Sequence, residues 1–379
     1  MHLERVGTRT LPRLSLRLAC VIACLAAMPF AAPLRAQDVQ EKVEVGDLSR
    51  TYVVHLPKGY DSKQHYPVVV LLPGQNQQPD DMQRLTHFDQ LVADKAGIIA
   101  VYPNATRGRW NIGVHQEQPA MAPRRGYGRH GGYGGGGYPG GGGYPGGGGG
   151  YPGGGSGGGQ SGGQNPGDSG NDHRNRAEPA DDVAFLNQML DQIALKYSVD
   201  THRIYATGLG DGGFMALRMG CEMADRVAAV APVGAALPKT MICLPARPVP
   251  VLFLSGTEDP VVPYGGGTYK PGQFHVLSAE DSAKTWAKFD RCDEKPTQDK
   301  VQPLQKGEKE SKTFTFSGCH DNAQVVLYAV KDGGNTWPGG QQYMSEKEVG
   351  KTSNALNANE TIWNFLSTRK IADVVSTGK

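Results

Sequence analysis

The chain has 379 residues, with 39 Lys and Arg against 37 Asp and Glu and a formal charge of +2 at pH 7. That near balance provides no basic surface for nucleic acid. Beyond the N-terminal segment, no stretch approaches the roughly 20 apolar residues needed to span a bilayer.

Residues 1–36 read as a secretory signal. Arg5, Arg9, Arg13 and Arg17 form a basic start, Leu18 to Ala32 supply an apolar core interrupted by Pro29, and Leu34-Arg35-Ala36 suits cleavage before Gln37. Val21-Ile22-Ala23-Cys24 also has the look of a lipoprotein box, but the apolar run before Cys24 is very short and the residues after it stay apolar. Cleavage removes five Arg and one Glu, which takes the charge to about −2, and leaves one domain over 37–379. Its expected location is secreted or periplasmic.

Val43 to Leu56 alternates like an exposed hairpin. Tyr66 to Leu72 and Gly97 to Tyr102 are continuous apolar runs, suited to strands covered on both faces. Asp81 to Ala96, between them, reads as a helix. From about Gln116 to Asn175 all periodicity is lost, and Gly126 to Gly170 holds about half of the 53 glycines. The repeat there is GGGGYP, with Tyr127, Tyr133, Tyr138, Tyr144 and Tyr151 spaced through it. Such a segment has too little apolar surface to offset the entropy of ordering its backbone, so residues 116–175 are expected to be a disordered Gly-rich insertion.

After the insertion, Asp181 and Asp182 can cap a helix carrying Val183, Phe185, Leu186, Leu190, Ile193 and Leu195 at near-helical spacing. Strand Arg203 to Thr207 follows, then Gly208-Leu209-Gly210-Asp211-Gly212 and a helix through Met223. Strands Val227 to Val233 and Val249 to Ser255, helix Ala279 to Asp290, strands near Phe314 and over Val325 to Val330, and a helix from Ser353 to Ser367 complete the pattern. Strands alternating with helices predict an α/β fold with a mostly parallel central sheet and helices on both faces.

Four cysteines follow the signal: Cys221, Cys243, Cys292 and Cys319. An even number in an exported chain favours disulfides, and order along the chain suggests Cys221 with Cys243 and Cys292 with Cys319. A four-thiolate metal site needs C-x-x-C pairs that this chain lacks. No H-x-x-E-H cluster or dinucleotide fingerprint is present, so neither metal nor cofactor is expected.

Several motifs together carry a resemblance. They are Tyr205-Ala206-Thr207-Gly208-Leu209, Gly212-Gly213-Phe214-Met215-Ala216, Pro248-Val249-Pro250 leading to Gly256-Thr257-Glu258-Asp259-Pro260-Val261-Val262-Pro263-Tyr264, and Gly333-Gly334-Asn335-Thr336-Trp337-Pro338-Gly339-Gly340. In order and spacing they resemble the secreted polyhydroxybutyrate depolymerase and feruloyl esterase family, over all of the mature chain except the glycine-rich insertion. The resemblance implies an α/β-hydrolase fold and carboxylic-ester hydrolase chemistry. It places the family's serine, aspartate and histidine on Gly210, Asp259 and Asn335.

Two of those three positions depart from the family. The elbow after such a strand exists to lift a hydroxyl above the sheet, and glycine has no side chain to lift. A serine is activated by an imidazole that takes its proton and returns it to the leaving group. Asparagine cannot take up a proton near neutral pH. Asp259, the retained acid, then orients nothing or hydrogen-bonds the Asn335 amide.

Some α/β-hydrolases use an elbow aspartate, but a nucleophilic Asp211 would need glycine where Leu209 stands. Its backbone N–H is instead an oxyanion-hole candidate, and its carboxylate is expected to be solvated or a helix N-terminal charge. Where the family shows His-Gly, this chain has Leu72-Pro73-Gly74-Gln75, so backbone donors near Gly74 and Gln75 are further candidates. Trp110 and Asn111 resemble a family segment beside the cleft, and Trp337 belongs to the same expected cleft. The tyrosine-bearing insertion would leave the chain just after them. His275 is the histidine best placed to reach the cleft, with His202 and His320 farther off, and each reads as a surface or structural residue.

Three readings of function follow. The first is a catalytically inactive relative, a pseudoenzyme that binds an ester, an aromatic acid or a polymer segment in its cleft. The second is an ester hydrolase with residual or altered activity. The third is a surface-interaction protein working through the Gly/Tyr-rich arm.

Overall fold

A computed structural model of the chain describes residues 37–114 and 180–372, together with His2. The expected signal segment 1–36 and the expected insertion 116–175 lie outside the described residues. Strands β1 (Gln37–Val45) and β2 (Leu48–Leu56) form an antiparallel hairpin. It begins six residues earlier than the alternation suggests, because β1 is polar along most of its length.

Strands β3 (Tyr66–Leu72) and β4 (Ile99–Pro103) are buried along their whole length, as continuous apolar runs require. The single helix expected over 81–96 is divided. Helix α1 (Pro79–Thr86) stops where His87 turns left-handed (φ 49°), and a π-helical turn (Asp89–Ala93) runs into a short α turn (Asp94–Ala96). The break lets Leu85 and Phe88 both reach the same apolar layer with Val92.

Helix α2 (Asp182–Lys196) is capped by Asp181, whose side chain accepts from the Ala184 N–H at 2.9 Å. Asp182 is not a cap. It is fully buried, pairs with Arg50 at 2.7 Å and accepts from the Asn111 N–H at 2.6 Å. Leu195, expected on the buried stripe, is 88% exposed because it falls on the outer side of the last turn.

The chain continues through β5 (Val199–Leu209), α3 (Asp211–Glu222), β6 (Ala229–Val233) and β7 (Val251–Gly256). A small hairpin, β8 (Gly267–Tyr269) with β9 (Phe274–Val276), precedes α4 (Ala279–Phe289). Strands β10 (Thr297–Val301), β11 (Ser311–Phe316) and β12 (Val325–Val330) follow, then α5 (Glu346–Val349) and α6 (Ala358–Leu366). Helix α6 starts five residues later than expected, where the Asn357 side chain caps Glu360.

The main sheet has ten strands in the order β1-β2-β4-β3-β5-β6-β7-β12-β11-β10. The middle six, β4 to β12, run parallel, and both edges are antiparallel. Side chains alternate across it. Val68, Val70 and Leu72 pack with Phe185, Met215 and Trp286 on one face, while Val69 and Leu71 pack with Phe88, Ile362 and Leu366 on the other.

Cys221 is bonded to Cys243 and Cys292 to Cys319, closing loops of 22 and 27 residues. Loops of that size gain about 3 kcal/mol each from restriction of the unfolded chain. Among the described residues, no helix is long and apolar enough to cross a membrane.

Candidate active site

Three loops at the carboxyl ends of the parallel strands build the site: β5 to α3, β7 to Val262, and β12 to Tyr343. The first is a tight elbow. Gly210 adopts φ 53°, ψ −111°, its N–H donates to Val233 O at 2.9 Å, and its carbonyl accepts from Phe214 N at 3.0 Å. The turn is possible because α3 lies almost on the strands. A Cβ on Gly212 would stand 2.0 Å from the Leu72 carbonyl oxygen, closer than any side chain allows. The elbow is therefore fully formed although position 210 carries no side chain.

Facing it is Asn335. A Cβ built on Gly210 would lie 3.0 Å from Asn335 Oδ1, so the expected nucleophile and base positions are brought together. Asn335 Nδ2 donates to Asp259 Oδ2 and to Gly234 O, both at 2.8 Å. Because both neighbours are acceptors, the amide orientation is determined, and Oδ1 must be the atom turned toward Gly210. The backbone is held as firmly: Asn335 N–H donates to Val349 O at 2.6 Å, and the Tyr343 hydroxyl donates to Asn335 O at 3.1 Å.

Asp259 completes the line. Its Oδ1 accepts from the N–H groups of Val261 and Val262, both at 2.8 Å. Burial raises its pKa from 3.8 to about 7, outweighing the hydrogen bonds from Val262, Asn335 and Val261 that favour the charged form. The Asn335 amide carries no positive charge to hold the carboxylate ionised.

The arrangement reproduces the hydrogen-bond pattern of a neutral imidazole, a donor toward Asp259 and an acceptor toward position 210, without its basicity. An amide oxygen can receive a hydrogen bond but does not take up a proton near pH 7.

Asp211 is not solvated. It is 1% exposed, and its carboxylate accepts from Trp110 N–H at 2.9 Å, the Tyr269 hydroxyl at 3.3 Å and Arg109 Nη2 at 3.5 Å. Burial raises its pKa, opposed by the Trp110 and Arg109 contacts. The carboxylate joins the 109–110 segment and β8 to the elbow.

Of the oxyanion candidates, Gly74 has its N–H taken by Gln77 Oε1 at 2.8 Å. Gln75 lines a groove of about 460 Å³ with Asn76, Gln77, Arg84, Gln341 and Tyr343. Of the residues expected in the cleft, Trp110 is 4% exposed and donates from Nε1 to Pro73 O at 2.9 Å, which braces the turn before Gly74. Trp337 is buried and donates to Asn359 Oδ1 at 2.9 Å. Asn111 ties Ala180 and Asp182 to this segment. All three support the loops. His275 is exposed on β9, with Nδ1 3.3 Å from the Thr268 hydroxyl, and His320 is also exposed.

Tyr269, Tyr343, Arg109 and Gln77 escaped sequence reasoning. They lie in loops or a three-residue strand where no periodicity marks them, and their roles depend on partners 58 or more residues away for Tyr269 and Arg109.

A mostly parallel sheet with a strand–turn–helix elbow at its centre and an acid loop after β7 is an α/β fold of the α/β-hydrolase type. No family model matches the chain. It is 36% identical over 163 residues to feruloyl esterase B of Piromyces equi, a match covering 41% of this chain and 29% of that protein. It is 31% identical over 201 residues to NocK of Nocardia uniformis subsp. tsuyamanensis, named as an esterase, covering 50% of this chain and 58% of that one. The matches therefore span less than two thirds of these relatives. A thermostable esterase superposes with a TM-score of 0.47 at 12% identity, covering 89% of this chain and 63% of that one. The chain is thus a homologue of proteins named as feruloyl and other esterases.

Proposed function

We propose that this protein is an exported, non-hydrolysing relative of the carboxylic-ester hydrolases that uses the retained site to bind an ester, an aromatic acid or a polymer segment. One observation carries the reading. The acid and the elbow are in place, yet the atom that attacks and the atom that takes the proton are both absent, at Gly210 and Asn335. In a well-studied protease, losing either the nucleophile or the base alone costs about 10⁶ in turnover. That corresponds to about 8 kcal/mol of barrier. Two disulfides support passage through an oxidising compartment.

The test measures hydrolysis of short-chain nitrophenyl esters by the purified protein, with binding of the same acyl groups followed by calorimetry. Saturable binding with hydrolysis at the rate of buffer is expected. Turnover that disappears in Asp259→Ala would show a working hydrolase with a replacement nucleophile.

A further inference from the structure

Asn335 is 3% exposed, and three of its four polar groups are engaged: Nδ2 with Asp259 and Gly234, the N–H with Val349, and the carbonyl with Tyr343. Its Oδ1 receives no hydrogen bond from any described residue and is aimed at the space a side chain on Gly210 would occupy. A bound group that donates to this oxygen gains a hydrogen bond that one without a donor cannot make, so the donor is favoured. Directly after Gly210 in the chain comes the N-terminus of α3. The Asp211 N–H is the first of a 12-residue helix and has no acceptor within it.

From this juxtaposition we infer that the vacated nucleophile position is a recognition site for a neutral group carrying both a donor and a carbonyl, a primary carboxamide or a protonated carboxylic acid. The donor reaches Asn335 Oδ1 and the carbonyl faces the Asp211 N–H. An ester fits poorly because it has no hydrogen to give. A carboxylate fits poorly because one of its oxygens would face Asn335 Oδ1, acceptor against acceptor. The inference rests on the non-hydrolysing reading above and specifies its ligand.

Cinnamamide and methyl cinnamate differ at this group alone, and titration of the full-length protein with each by NMR gives the two Kd values. One additional hydrogen bond, to Asn335 Oδ1, predicts that the amide binds at least about fivefold tighter. Gly210→Ala fills the space with a Cβ 3.0 Å from Asn335 Oδ1 and is expected to abolish that preference. Circular dichroism of the variant checks that it is folded, and Gly210→Ser is the second variant if it is not. Equal affinities, no binding of the amide, or a preference unchanged in the folded variant would each overturn the inference. Hydrolysis of the methyl ester would instead defeat the non-hydrolysing reading, and is scored separately from the ratio of affinities.

Discussion

Asp259 should make the stability of this protein fall as pH rises from about 4 to about 7. In the unfolded chain its carboxyl ionises near 3.8, while in the fold it holds its proton to about 7. Between those values the native state binds a proton that the unfolded state has released. The stability associated with the protonated form is fully present below 3.8 and is lost as pH passes through the folded value. The total is at most about 4 kcal/mol, with a slope no steeper than about 1.4 kcal/mol per pH unit.

Asp290 is also buried, accepts from Val249 N–H at 2.9 Å and is raised to about 7, so the natural protein should show the combined loss. The informative quantity is the difference from Asp259→Asn. That variant sets an amide donor against Asn335 Nδ2 and is expected to lose about 1–2 kcal/mol at pH 4.5. It should then fall less steeply, so the gap narrows or reverses by pH 8. Urea unfolding with disulfides intact, measured at half-unit steps over that range, gives both curves. Parallel curves would mean that Asp259 is already ionised at low pH, and the account of a carboxylate deprived of its cation would fail.

Further outcomes follow from the same geometry. Gly210→Ser with Asn335→His should raise nitrophenyl ester hydrolysis at least about 10³-fold over the natural chain, and each single change should stay silent, because nucleophile and base act as a unit. A folded but inactive double variant would show that more than the two side chains has been lost. Gly212→Ala should cost at least about 3 kcal/mol, since the new Cβ meets backbone at 2.0 Å. Gly210→Ala, strained by its positive φ and by a Cβ 3.0 Å from the Asn335 side chain rather than by backbone, should cost less, about 1–3 kcal/mol. Thermal unfolding of the two variants measures both, and equal losses would refute the assigned packing. Asp211→Ala strands the Trp110 N–H and the Tyr269 hydroxyl, and a loss of about 2–4 kcal/mol by the same measurement is expected.

What the sequence determined by itself was the part written in local patterns. The uninterrupted apolar runs of β3 and β4 allow only strands covered on both faces. The alternation of strands with helices predicts the parallel sheet, and the order of the cysteines suggests the two disulfides that the structure contains. The glycines around position 210 marked an elbow, and the motifs that carry the resemblance singled out Gly210 and Asn335, which face each other in the fold. What only the tertiary structure decided was where polar side chains point. Asp211, beside a glycine turn at a helix start, reads as solvated or as a helix N-terminal charge; it does open the helix, but three groups from the 109–110 segment and β8 close over it. Helix α1 ends at His87 to serve an apolar layer assembled from distant segments. The direction of the Asn335 amide depends on two acceptors, Asp259 and Gly234, that lie 76 and 101 residues away. Local spacing specifies backbone form and apolar faces, but the energy of a buried polar atom is set by the partners that long-range packing brings to it.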